Sequence, residues 1–168
     1  MKTKISDVND MDKEYLDWAK VDEAIWTLKD EIEKEFRPDI IVGIARGGLV
    51  PAVRLSHISD NILMRVVDVK FYTDIEKRME KPEITAPLTE NIENMNVLII
   101  DDVADTGKTL VAIKKHIIEK KAKSIKIAVI AKKPKSIIDP DYYVFETDKW
   151  IIFPWEKMPI SKGNGDIV

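Results

Sequence analysis

The segment from Asn96 to Leu110, Asn-Val-Leu-Ile-Ile-Asp-Asp-Val-Ala-Asp-Thr-Gly-Lys-Thr-Leu, constrains this chain more than any other. Val97 to Ile100 is short, apolar and rich in β-branched residues, which reads as a strand buried on both faces of a parallel sheet. The strand ends in two carboxylates, Asp101 and Asp102; a turn-rich stretch from Asp105 to Thr109 follows, and then an amphipathic helical pattern. Open α/β sheets bind ligands beyond the carboxyl ends of their strands, so this order of strand, acidic pair, glycine loop and helix marks a binding site.

The loop has its own chemistry. Thr106 and Thr109 offer hydroxyl donors, Gly107 lets the backbone turn and approach a ligand, and the amides that open the next helix have no intrahelical partners. Such amides favour an anion, most often phosphate. Asp101 and Asp102 cannot face that anion without repulsion, so they suit ribose hydroxyls or a magnesium ion beside it. Gly107-Lys108-Thr109 also fits the tail of a P-loop, but the first glycine of that pattern falls on Asp102, which would repel a triphosphate. A plain strand-loop-helix turn accounts for the apolar flanks, but not for three aspartates and two threonines between Asp101 and Thr109.

Ile99 to Leu110 resembles the phosphoribosyl-pyrophosphate (PRPP) binding motif of type I phosphoribosyltransferases. The resemblance implies Asp101 and Asp102 on the ribose hydroxyls, with magnesium carried by PRPP and the same pair as its candidate protein contacts. It places the loop Asp105, Thr106, Gly107, Lys108 and Thr109 around the 5-phosphate, and it makes Asp105 the general base for the purine N7 proton.

At 168 residues, with 45% hydrophobic and 34% charged side chains, one domain spanning 1–168 is expected. A net charge of -3 gives no broad basic field for nucleic acid, and no apolar run approaches the length of a membrane span. Without cysteine there is no disulfide, thiolate metal site or cysteine nucleophile, and the N-terminus lacks the apolar core of a secretory signal; a cytoplasmic protein is expected. His57 and His116 lie on separate helical patterns with no acidic ligand motif, so neither suggests a metal site.

Along the chain, Met1 to Met11 reads as a polar arm. Val21, Ala24, Ile25, Leu28, Ile32 and Phe36 form a helical stripe facing a core, and Trp18 and Trp26 read as packing residues. Pro38 stops that helix, Asp39 to Ala45 reads as a second buried strand, and Arg46-Gly47-Gly48 precedes a helix from Leu49 to His57. Two glycines free the backbone to present amides and Arg46 adds a fixed cation, so this turn suits a second phosphate-rich group. It resembles the pyrophosphate loop of xanthine-guanine phosphoribosyltransferases, where Ser-Arg-Gly-Gly-Leu-Val-Pro is typical and Ala45 here replaces the serine.

Ile62 to Tyr72 reads as a third strand, and the charged stretch Thr73 to Pro87, without apolar periodicity, as a mobile loop. In the family such a loop folds over the reaction centre; Lys70 and Tyr72 at its base would then reach pyrophosphate. Thr109 to Lys120 reads as a helix with Leu110, Ile113, Ile117 and Ile118 buried, and Ser124 to Ala131 as the next parallel strand.

Lys132 and Lys133 stand at that strand's end, before Pro134. A lysine there donates hydrogen bonds but accepts none, so it matches a purine 6-oxo group and mismatches adenine. In the xanthine-guanine enzymes the residue before this proline contacts the 6-oxo group, which points to Lys133. Trp150-Ile151-Ile152-Phe153-Pro154-Trp155 resembles the C-terminal hood of those enzymes, about residues 140–160 here; by that match Trp150 stacks on the purine and the Ile151 backbone faces its 2-position.

The expected fold is therefore α/β, the type I phosphoribosyltransferase fold, with a mostly parallel twisted sheet flanked by helices and a small hood. The expected activity is purine salvage: PRPP and a 6-oxopurine (guanine, xanthine or hypoxanthine) give a nucleoside monophosphate and pyrophosphate with Mg2+, in a homodimer or homotetramer. A PRPP-sensing transcriptional regulator on the same fold and an adenine-specific enzyme remain alternatives.

Overall fold

The computed structural model describes residues 13–74 and 79–156. The elements are β1 (Lys13–Tyr15), α1 (Trp18–Glu35), β2 (Ile40–Ala45), α2 (Leu49–Ile58), β3 (Leu63–Asp74), β4 (Met79–Ala86), β5 (Asn96–Ala104), α3 (Lys108–Glu119), β6 (Ser124–Lys132), β7 (Tyr142–Glu146) and β8 (Trp150–Ile152). The main sheet has the order β4-β3-β2-β5-β6-β7, parallel throughout except at the β3–β4 edge.

Both faces of the central strands are buried, and alternate residues supply two cores. Ile41, Leu98 and Ile100 pack with Val21, Ile25, Leu28 and Leu55 of α1 and α2 on one face. Ile40, Val42, Ile44, Val97 and Ile99 pack with Leu110, Ile113 and Ile117 of α3 on the other. The α1 stripe is as the sequence predicts: Asp17 caps its first turn by accepting from the Lys20 amide at 2.8 Å, and Phe36 ends it with its amide on the Ile32 carbonyl at 2.9 Å.

Several expectations are corrected. Thr73 to Pro87 is not an irregular loop: β3 runs on to Asp74 and β4 returns antiparallel, with Asp74 opposite Met79 and Asp68 opposite Ala86. Residues 75–78 of that stretch lie outside the described residues. An edge strand needs no buried face, so charge and Pro82 are compatible with it and apolar periodicity is not required. Ile118 is 56% exposed because one helical step from Ile117 carries it off the buried stripe. Trp18 and Trp26, read as packing residues, do pack but stay half exposed: the Trp18 ring lies 5.9 Å from that of Trp155, and the Lys29 ammonium lies 5.9 Å from the Trp26 ring centre.

The hood also has a strand that the sequence reading missed. β8 pairs in parallel with β1, Lys13 opposite Trp150 and Tyr15 opposite Ile152, so a residue stretch just after the polar arm builds half of it. The arm Met1 to Met11 itself, like the tail beyond Glu156, lies outside the described residues. Among the described residues no helix is long and apolar enough to cross a membrane.

The β3–β4 hairpin rejoins the sheet through a histidine. The Leu88 amide donates to Nε2 of His116 on α3 at 3.2 Å, a bond that requires the imidazole to be unprotonated at that nitrogen. Burial first, and then the Lys120 charge, hold His116 below the ordinary histidine value of 6.5, against an opposing pull from Glu119. Folding thus favours the neutral ring: its contribution is complete above the unfolded value and is lost as pH falls from there through the lowered folded value. His116→Gln keeps an acceptor that does not titrate, so thermal midpoints measured from about pH 8 to about pH 5 should show the unmodified protein losing stability relative to the variant on the acid side. A difference that does not change with pH would remove His116 from this account.

Candidate active site

The site lies where β2 and β5 part. Their pairing stops at Gly43 opposite Ile100, whereas β5 continues along β6 to Ala104 opposite Lys132. Asp101 and Asp102 are therefore inside β5, not beyond it as expected, with one side of the strand left open at their level. After β2 the chain crosses to β3 on one flank, and after β5 to β6 on the other, so the gap is the topological switch point of the sheet.

The Arg46-Gly47-Gly48 turn fills that gap, and contact with backbone requires glycine at Gly48, whereas at Gly47 the neighbour is the movable Asp102 carboxylate. A Cβ on Gly47 would stand 2.0 Å from Oδ2 of Asp102; one on Gly48 would stand 2.6 Å from the Ile100 carbonyl and 2.7 Å from that of Ile44. The peptide between Ala45 and Arg46 is cis. Arg46 itself is exposed.

The two carboxylates differ. Asp101 is 9% exposed and accepts from the Asp102 amide at 2.9 Å, while Oδ1 of Asp102 accepts from the Val103 amide at 2.7 Å. Burial, followed by the Asp102 charge, pushes the Asp101 carboxyl well above the usual carboxylate range. Burial also raises Asp102, but its bonds with Asp101 and with the Val103 amide oppose the rise, and the Glu156 charge adds to it. Asp101 thus holds the proton of the pair more readily, and Asp102 presents the charge.

Asp102 faces two adjoining clefts. One, of about 120 Å³, is lined by Asp102, Asp105, Lys133, Trp150, Ile151 and Glu156 among others. The second, of about 640 Å³, lies between Arg46, Gly47, Asp102, Trp155 and Glu156. Asp102 and Glu156 are common to both, so the clefts meet at these carboxylates.

In the first cleft Lys133 is 6% exposed and donates from Nζ to the Lys149 carbonyl, next to Trp150. Burial lowers its pKa, with Asp105 opposing that shift. Lys132 points elsewhere: it pairs with Asp139 at 2.6 Å and Glu146 at 3.8 Å, and lies 5.0 Å from the Tyr143 ring centre. Of the two lysines that the sequence left open, Lys133 reaches the cleft. Trp150 is half exposed at its mouth, while the Ile151 side chain is buried and its backbone pairs with Glu14.

The phosphate-type loop is split by the start of α3: Asp105, Thr106 and Gly107 are loop, whereas Lys108 and Thr109 form the helix's first turn. Gly107 has φ +80° and no side-chain cap, leaving the opening amides free of an intrahelical partner. The turn after β6 packs on this loop. The Ile137 amide donates to the Thr106 carbonyl at 3.0 Å, the Lys133 amide to the Ala104 carbonyl at 2.9 Å, and a Cβ on Gly107 would meet Ser136 Oγ at 2.6 Å.

Lys70 is not brought into either cleft. It lies on β3 opposite Glu83, exposed, two residues beyond the level at which β2 ends, and Tyr72 is exposed as well. Three residues the sequence reading passed over belong here instead. Glu156 turns back to accept from the Phe153 amide at 2.8 Å and so faces Asp102; Trp155 stacks on Phe153 at 4.5 Å beside it; and Lys135 pairs with Asp105 at 2.8 Å. Trp155 stands in the hood motif without an assigned role, and the sequence signal of Glu156 and Lys135 is only their proximity to Trp150 and Lys133. No group of three potential ligands for a metal forms among the described residues; Asp102 and Glu156, which line both clefts, are carboxylates that could meet a divalent ion carried by ligand oxygens.

This geometry has relatives. The profile of the phosphoribosyl transferase domain matches residues 12–158. The chain is 31% identical over 122 residues to a xanthine-guanine phosphoribosyltransferase of Gluconobacter oxydans, covering 71% of this chain and 70% of that one. It is 34% identical over 119 residues to the Cereibacter sphaeroides protein of the same name, covering 69% and 68%. The crystal structure of a purine phosphoribosyltransferase from Pyrococcus horikoshii superposes with a TM-score of 0.84 at 51% identity, covering 91% of this chain and all of that one. A switch-point site built on an acidic pair and two glycine turns, with a profile match across nearly the whole of the described chain, has one reading: the chain belongs to the type I phosphoribosyltransferase family.

Proposed function

We propose that the protein transfers the phosphoribosyl group of PRPP to N9 of a 6-oxopurine (guanine, xanthine or hypoxanthine) and releases pyrophosphate. The observation that carries this reading is the pair of clefts meeting at Asp102 and Glu156: one has a buried lysine, a carboxylate and a tryptophan for a planar base, the other has Arg46 and a glycine turn for an anion. The names of the relatives, xanthine-guanine and hypoxanthine-guanine phosphoribosyltransferase, support the same base class.

In this reading the purine enters between Trp150 and the floor of the first cleft. Lys133 spends one of its three donors on the Lys149 carbonyl and keeps others for the 6-oxo oxygen, which the 6-amino group of adenine could not accept. The Ile151 backbone faces the 2-position. The 5-phosphate sits on the amides and hydroxyls from Asp105 to Thr109, the sugar hydroxyls on the acidic pair, with Asp102 the less buried member, and pyrophosphate against Arg46 and Gly47. Asp102 and Glu156, together with substrate oxygens, would hold magnesium, which would supply charge neutralisation for the pyrophosphate. The bond from the sugar C1 to pyrophosphate oxygen breaks as the bond from N9 to C1 forms, and Asp105 accepts the proton that leaves N7. We place this activity in the cytoplasm, in a homodimer or homotetramer.

Pyrophosphate release, measured with PRPP, Mg2+ and each of guanine, hypoxanthine, xanthine and adenine, should proceed with 6-oxopurines and not with adenine; turnover with adenine alone would overturn the role of Lys133. Asp105→Asn should lower kcat by about 10²-fold or more with a much smaller change in the dissociation constant of PRPP; equal losses in both would count against a general base. Gly47→Ala forces the Asp102 carboxylate to move, and should weaken PRPP binding by about tenfold while leaving the far-UV circular dichroism unchanged, a loss typical of one displaced polar contact. Unchanged affinity would mean that Asp102 does not meet the sugar from its present position.

A further inference from the structure

The loop assigned to the 5-phosphate begins with a carboxylate, and like charges set side by side must be balanced by something. Asp105 lines the base cleft with its side chain, yet its backbone opens the turn whose amides would hold a doubly charged phosphate. The amides of α3 and the exposed Lys108 favour the phosphate, but they do nothing to quiet its repulsion of Asp105. One cation is fixed to that carboxylate: Nζ of Lys135 stands 2.8 Å from Asp105 Oδ1.

The position of Lys135 is set by backbone rather than by the ion pair. It lies in the turn after β6, where the Ser136 amide donates to the Lys133 carbonyl at 3.0 Å, Ser136 Oγ donates to the Ile138 carbonyl at 2.8 Å, and the Ile137 amide ties the turn to Thr106 at 3.0 Å. The turn and the phosphate-type loop are thus one unit. Both side chains of the pair are half exposed or more, 63% for Lys135 and 50% for Asp105, so in the free protein water screens the contact and it adds little to folding. Its use must come when the cleft fills and water leaves, because the same pair of charges then interacts more strongly.

We propose that Lys135 is the counter-charge that allows Asp105 and the 5-phosphate to occupy one loop, a positioning residue that acts through Asp105. The inference rests on the proposed PRPP site. With Lys135 in place, the carboxylate is held by its Oδ1 and its negative charge is offset where the phosphate enters. Without it, PRPP binding brings two anions together with only the more distant charge of Lys133 to offset them. Of the neighbouring lysines, Lys132 is paired with Asp139 and Glu146, and Lys133, whose charge also reaches Asp105 across the base cleft, is turned to the Lys149 carbonyl, so Lys135 is the lysine in ion-pair contact with the Asp105 carboxylate.

The test is a double-mutant cycle between Lys135→Ala and Asp105→Asn, read as the dissociation constant of PRPP and as KM and kcat, with thermal midpoints alongside. Lys135→Ala alone should raise the PRPP dissociation constant and KM about tenfold, the size of coupling that charge pairs in contact commonly show, while the midpoint stays put. Lys135→Arg, which keeps the charge, should restore binding. In the Asp105→Asn background, where the repulsion is already gone, Lys135→Ala should change PRPP affinity by less than about twofold. An equal loss of affinity in both backgrounds would overturn the proposal by showing that Lys135 acts on the phosphate independently of Asp105. Unaltered affinity in the single variant would overturn it too. Failure of the underlying reading looks different: the unmodified protein would then not bind PRPP at all.

Discussion

The contact of the Arg46-Gly47-Gly48 turn with β5 is the constraint from which the site is built. With no room for a side chain atom at Gly47 against Asp102, or at Gly48 between the carbonyls of Ile44 and Ile100, the turn settles into the space that opens where β2 and β5 stop pairing. That placement sets Arg46 and Asp102 on the same cleft, and it starts α2 and α3 from neighbouring strands toward opposite faces of the sheet. The second glycine turn, at Gly107, then completes a pair of anion-friendly turns on either side of one acidic pair.

A site of this kind needs a stiff platform, because it holds carboxyl groups where water is scarce. The platform is apolar: fully buried residues such as Ile41, Leu98, Ile99 and Ile113 each stabilise the fold by roughly 1.5–3 kcal/mol, whereas an exposed ion pair such as Arg65–Glu90 contributes about 0–1 kcal/mol. Burial of Asp101 runs against that gain and is met by the Asp102 amide and by the readiness of Asp101 to stay protonated. The rigid part of the molecule is thus the sheet with its two cores. The chemistry is carried by turns that project from its carboxyl edge.

Much of this was legible because it depends on residues close in sequence. The α1 stripe, the strand from Val97, the two glycine turns and the lysine before Pro134 all follow from local pattern or motif, and each stands in the structure where the pattern put it. What failed depended on neighbours far along the chain. Nothing in Thr73 to Pro87 announces a strand, since β4 is held by pairing with β3 at an edge and not by a buried face. β1 is three residues long and exists because β8 lies beside it. Trp18 packs, as its place beside the α1 stripe suggested, but its partner is Trp155, at the other end of the described chain, which no local pattern names.

The sequence by itself determined the fold class, the order of the parallel strands' binding turns and the kinds of group the site can hold, because strand periodicity, glycine and charge are read within a few residues. The tertiary structure alone decided which carboxylate faces the clefts, that Lys133 enters while Lys132 is spent on Asp139, that Glu156 joins Asp102, and that Lys135 meets Asp105. Those outcomes follow from pleat, from helical step and from where separate turns come to rest against one another. Such distances are properties of the packed molecule, and no local pattern carries them.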